Sequence, residues 1–189
     1  MREILDEFAP QGDVLELAGG TGLWTERLLG HASRLRVLDA SEEMLHLNRL
    51  RCAEQAETCG ADYDTSTVDI FAWEPEQTWD VVFFSFWLSH VPESRFDSFW
   101  SNIRRALRPE GRVFFVDSKL APDALAHDHP QPDLTRETAL RRLNDGREFE
   151  IVKRFYQPDE LGERLKSLGF SAAVSSTRNF FIVGQVRMT

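Results

Sequence analysis

Only two of the 189 residues are cysteine, and no apolar run approaches the roughly 18 residues of a membrane span. Cys52 and Cys59, with six residues between them, fall in a segment that reads as one helix. That spacing is neither a zinc-ligand pattern nor a redox pair, so both are expected as reduced core residues. The opening residues, Met1-Arg2-Glu3-Ile4-Leu5-Asp6-Glu7, carry acids where a signal peptide would carry an apolar stretch. Export is therefore not expected, and a cytoplasmic location is. Surplus positive charge is missing too: 22 basic against 31 acidic residues leave a net charge of −9. This argues against nucleic acid as the main partner, since phosphate backbones demand excess Lys and Arg. Internal repeats and low-complexity tracts are also absent.

What is there fits one globular domain spanning 1–189, with 42% hydrophobic residues, 14 Phe and 5 Trp to build a core. The charge is unevenly spread. Residues 1–118 hold 11 bases and 21 acids, whereas 119–189 hold 11 bases and 10 acids. Arg136, Arg141, Arg142, Arg147, Lys153 and Arg154 cluster in the latter part, either as a solvated face or as a local anion-capturing patch.

Apolar runs alternate with helical patterns, which predicts βαβ units around a parallel sheet. Val14–Ala18, Leu35–Leu38, a segment ending near Val68-Asp69, Val81–Phe84 and Val113–Val116 read as its strands. Ser41 is placed to cap a long helix, and Phe96–Leu107 is amphipathic, with Pro109 and Gly111 as its expected stop. The Pro-containing stretch from 119 suggests a cap or substrate insertion over about 119–148. Phe149–Phe155 alternates like a strand, 158–168 is helical, and 170–175 with 179–186 predict an antiparallel hairpin. The expected fold is α/β: an open, doubly wound, mostly parallel seven-stranded sheet with an antiparallel C-terminal hairpin.

Gly19-Gly20-Thr21-Gly22 between a first strand and a helix would bring backbone N–H groups close to a ligand, and an acid ending the second strand can hold ribose hydroxyls. Dinucleotide and adenosyl cofactors both fit those two features. The dinucleotide spacing is met only by Gly20 and Gly22, because Thr25 occupies the third position, and little length remains for a second substrate domain.

Glu16-Leu17-Ala18-Gly19-Gly20-Thr21-Gly22 resembles the first motif of class I S-adenosylmethionine-dependent methyltransferases, with Ala18 at its first glycine. The resemblance continues through Val37–Ser41 with Glu43–Leu45, Asp69-Ile70, Trp79–Val82 and Leu107–Val113, where Glu110 replaces one glycine of the family pattern. It implies a Rossmann-like fold and S-adenosylmethionine as cofactor, leaving as S-adenosylhomocysteine. It further implies that Glu16 faces the cofactor's amino group and that Ala18, Gly20 and Gly22 admit its methionine part. Asp39 would accept from the ribose hydroxyls, with Ala40 next to it also at the cofactor; Asp69 and the Ile70 backbone would address the adenine, and Phe84 and Ser85 would lie near the sulfonium.

Phe83–Pro92, and Arg141–Arg147 through Lys153, resemble a branch of small-molecule methyltransferases that includes a phosphonate O-methyltransferase. In that branch the positions of Arg141 and Lys153 face the phosphonate. The expected acceptor is therefore a small anionic metabolite; an uncharged phenol or amine is the alternative, with His90 as base. Relatives carry a helical N-terminal segment over the site, whereas this sequence starts almost at the first strand. Either the cover is absent, or it is supplied otherwise, or the start is truncated, which leaves open a homodimer or a cofactor-binding subunit needing a partner. His127-Asp128-His129 lacks further ligands nearby, so no metal site is expected.

Overall fold

The computed structural model describes residues 2–120, 137–142, 145–178 and 180–189. A short helix α1 (Arg2–Phe8) precedes β1 (Gly12–Leu17), and the glycine turn leads to α2 (Thr25–Leu28), β2 (Ala32–Asp39), α3 (Glu42–Cys59) and β3 (Asp62–Thr67). Then come β4 (Trp79–Ser85), a single 3-10 turn at Leu88–His90, α4 (Glu93–Ala106) and β5 (Leu107–Ser118). A hairpin of β6 (Thr138–Arg142) and β7 (Glu148–Val152) is followed by α5 (Pro158–Ser167), β8 (Phe170–Ser176) and β9 (Phe181–Met188).

The main sheet runs β3-β2-β1-β4-β5-β9-β8. Strands β1 to β5 pair in parallel, and β9 lies antiparallel between β5 and β8. This is the doubly wound, seven-stranded arrangement expected from the alternating pattern. Its central strands bury both faces, so they are near-continuous apolar runs whose alternate residues serve opposite layers. Leu15, Val82, Phe84, Val113 and Phe115 pack with Phe96, Phe99 and Trp100 of α4 and Leu161 of α5. Val14, Val81, Phe83, Phe114 and Val116 pack instead with Leu5 and Phe8 of α1, Leu28 of α2, and Leu45 and Cys52 of α3.

Three local expectations differ from what forms. Pro109 and Gly111 do not end α4; the helix stops at Ala106 and the chain enters β5 at once. Leu107 pairs with Trp79 but the next pairing joins Arg112 to Val81, so Pro109 sits in a bulge where its missing N–H breaks no ladder bond. Cys59 is exposed at the end of α3, and only Cys52 enters the core. Arg141 lies on β6, a strand that the loop-like composition around it concealed. Most of the 119–148 insertion, including His127-Asp128-His129, lies outside the described residues. Among the described residues no helix is long and apolar enough to cross a membrane.

Candidate active site

At the carboxyl ends of the parallel strands the chain must leave the sheet, and there an open α/β sheet offers a crevice. After β1, Ala18 takes a left-handed backbone (φ +54°), as do Gly20 (+53°) and Gly22 (+86°). The strain at Ala18 costs on the order of 1 kcal/mol, which glycine in the usual motif would avoid. Gly19 is demanded by space. A Cβ there would stand 2.2 Å from Val37 Cγ1, because the turn passes directly over β2.

The turn is held from two sides, by Asp39 and by Asn48. Asp39, ending β2, accepts the Gly20 N–H through one carboxylate oxygen and the Ser41 N–H through the other, both at 2.9 Å. Ser41 caps α3, its hydroxyl accepting from the Met44 N–H. From inside α3, the buried Asn48 donates to the Gly20 carbonyl (3.2 Å) and to the Thr25 hydroxyl (2.9 Å). Thr25 in turn donates to Glu16 at 2.6 Å. Burial, opposed by that hydrogen bond and reinforced by the charge of Asp39, pushes the Glu16 carboxyl up to about 8. Ala40 is exposed beside Asp39.

After β3, Asp69 is exposed and its carboxylate accepts the Phe71 N–H, while the Ile70 side chain is buried in the core. At Ile70 a ligand could therefore meet only the backbone. Phe84 needs a correction: its ring is fully buried and stacked on Phe115 (5.5 Å between centroids), so its side chain cannot approach a sulfonium. Ser85, half-buried, ends β4, and Phe86 follows it, 38% exposed at φ +53°.

A second cluster spans the ends of β4 and β5. Lys153, with its side chain 18% exposed, donates from Nζ to the hydroxyls of Ser89 (2.8 Å) and Ser118 (3.3 Å) and lies 3.8 Å from the buried Asp117. Asp117 also accepts the N–H groups of Ser89 and Ser118. The β6–β7 hairpin is tied onto this cluster. The Arg154 N–H donates to the Ser89 carbonyl, and His90 Nδ1 lies 2.7 Å from the Val152 carbonyl. A carbonyl can only accept, so Nδ1 carries the proton and Nε2 keeps a lone pair. Burial, then the charge of Lys153, holds the His90 pKa below its ordinary value. Burial also lowers that of Lys153, against the opposing pull of Asp117. Arg141, exposed on β6, lowers both, so His90, Arg141 and Lys153 share one electrostatic neighbourhood.

Sequence reasoning missed Asn48, Thr25 and Asp117. Asn48 occupies the inward position of α3 with Leu45 and Cys52, a polar residue in an apolar stripe. Asp117 follows the apolar run of β5 as Asp39 follows that of β2, a repeated signal.

Residues 14–111 match the family model described as a methyltransferase domain. The chain belongs to the class I S-adenosylmethionine-dependent methyltransferases. Among solved structures it is similar to DhpI in a complex with SAH and in a complex with SAM and HEP, at 40% identity and a TM-score of 0.79. The match covers 98% of this chain and 81% of the DhpI chain in the SAH complex. The glycopeptide N-methyltransferase MtfA complexed with (S)-adenosyl-L-methionine shares the fold, at 19% identity and a TM-score of 0.73, over all of this chain and 92% of that one. The PH0226 protein from Pyrococcus horikoshii OT3 does so too, at 19% identity and a TM-score of 0.75 over 99% and 87% of the chains. No curated protein sequence matches the chain.

Proposed function

We propose that this enzyme transfers a methyl group from S-adenosylmethionine to an oxygen of a small anionic metabolite, a phosphonate being the sharpest case. The residues fit the cofactor. Glu16 is a buried carboxyl that no cationic side chain among the described residues pairs with, and an incoming ammonium would supply the charge that lets it ionise. Gly20 has nothing within 4 Å of where a Cβ would stand, so the turn is open on that side. Each Asp39 oxygen accepts one backbone N–H and retains capacity for a diol. Bound S-adenosylmethionine supplies an electrophilic sulfonium methyl, the C–S electron pair leaving with the thioether.

Lys153 carries the acceptor assignment. An ammonium that is mostly withdrawn from water, fixed by two hydroxyls and half-neutralised by Asp117, places an anionic oxygen without binding it as tightly as a free cation would. Arg141 supplies the second positive charge from β6. A phosphonate oxygen is already ionised at neutral pH, so alignment and exclusion of water are the protein's main contributions.

The Nε2 lone pair of His90 favours a second reading, a neutral hydroxyl acceptor whose proton passes to His90 as its oxygen takes the methyl. Assays with small alkyl phosphonates and with phenols separate the two. Under the first reading phosphonates turn over, and Arg141→Ala raises their KM while sparing kcat. Preferential turnover of phenols, abolished in His90→Ala, would establish the second.

A further inference from the structure

We infer that Asn48, acting through Thr25, is a positioning residue of the cofactor site that presents Glu16 to the cofactor's amino group. The inference rests on S-adenosylmethionine being the cofactor and adds residues to its site. Its basis is the direction of a hydrogen-bonded chain running from β3 to β1. The Gly19 and Gly20 carbonyls, 3.4 and 3.2 Å from the Asn48 side chain, can only accept, so the atom facing them is the amide NH2. The amide oxygen therefore faces Tyr63, whose hydroxyl donates to it at 2.7 Å. The other amide hydrogen goes to Thr25 Oγ1, which leaves the Thr25 hydroxyl proton one carboxylate to reach, Glu16 at 2.6 Å. Every bond in the chain points toward Glu16.

The same amide braces the glycine turn, so one side chain sets both the carboxylate and the backbone that a methionine moiety would meet. Asn48 pays for its place in the apolar layer by satisfying these groups, since a buried amide with no partners would be strongly unfavourable. The groups facing Glu16 are Asp39 from β2, Thr25 from α2, Cys52 from α3 and Tyr63 from β3. Burial pushes the Cys52 thiol up to about 12 and raises the Tyr63 phenol as well, so both stay protonated near neutrality. Asp39 adds a negative charge that opposes ionisation of Glu16, and the Thr25 hydroxyl is the group that favours it. Loss of the chain removes that help.

The test is calorimetric titration of the full chain with S-adenosylhomocysteine between pH 6 and 9, with thermal melts alongside. Asn48→Ala and Thr25→Val are expected to weaken binding about tenfold at pH 7, the scale of one buried hydrogen bond to a charged group. The acid limb of the affinity profile should move to higher pH in both, and Thr25→Ser should restore it. Should Asn48→Ala fail to fold, Tyr63→Phe, which keeps the ring, is expected to move the limb in the same direction. Melting temperatures that fall while affinity and pH profile match wild type would overturn the inference. Absence of binding by the wild-type chain would instead remove the cofactor reading on which it rests.

Discussion

Replacing Lys153 by methionine separates what this residue does for the fold from what it does for the acceptor. Methionine keeps the side-chain length and removes the charge. Asp117, with its side chain 1% exposed, would then be buried without its counter-ion, retaining only the N–H bonds from Ser89 and Ser118. Removing one partner of a fully buried pair costs about 3–5 kcal/mol. The two backbone donors and the partial exposure of Lys153 reduce this to about 2–3 kcal/mol. For a chain of this size, the melting temperature should fall by about 4–12 °C. The double variant Lys153→Met/Asp117→Asn removes both charges, and it should recover about half of that loss or more because the coupled partners no longer leave an orphan. Neither variant should recover acceptor binding. Circular dichroism melts combined with steady-state kinetics on a phosphonate measure both quantities. Unchanged melting of the single variant would refute the argument for a coupled buried pair. Destabilisation with an unchanged acceptor KM would refute the anion site while leaving the ion pair intact.

Gly19→Ala should destabilise the protein by about 1–3 kcal/mol, because the added methyl must displace the fully buried Val37, and thermal melts will register it. Stability of the ligand-free chain should decline as pH rises from about 5 to 8: the folded Glu16, raised to about 8 from 4.5, binds more protons than the unfolded chain in that window. Urea titrations should show this contribution flattened in Glu16→Gln, and its persistence there would assign the slope to other groups. S-adenosylhomocysteine binding at pH 7 should release close to one proton as Glu16 ionises, measured by calorimetry in buffers of different ionisation enthalpy. Equal heats in all buffers would contradict that coupling.

The parallel sheet was legible because strands buried on both faces leave continuous apolar runs, and the glycine turn was legible because a ligand's approach restricts side-chain size. Asp39 and Ser41 sit where their chemistry suggested, at a strand end and a helix cap. Elsewhere local pattern lost to tertiary context. Pro109 reads as a helix stop in isolation, yet the register of β4 against β5 absorbs it in a bulge. Phe84 and Ser85 look equally near a ligand in sequence, and only the alternation of β4 sends the Phe84 ring into the core. Arg141 and Lys153 share a neighbourhood through the pairing of Thr138 with Val152; the alternation of β7 was readable, but its partner β6, short and exposed at Leu140, Arg141 and Arg142, leaves no burial signal.

That hairpin also divides the molecule's labour along the chain. The groups assigned to the cofactor lie between Glu16 and Ser85, on the parallel strands, the turns that leave them and the helices that follow, whereas Arg141 and Lys153 lie on or beside a two-stranded ribbon outside the sheet. Among the described residues, the ribbon end meets the turn after β4 through the Arg154 N–H on the Ser89 carbonyl and through the His90 imidazole on the Val152 carbonyl. These contacts lie at the base of the hairpin, where Thr138 pairs with Val152, so its length and turn can change without disturbing the sheet, whereas the charge of Lys153 is tied to the buried Asp117 of β5. Under the proposed assignment, acceptor preference would shift through substitutions in one small segment while the methyl donor's seat is left as it is.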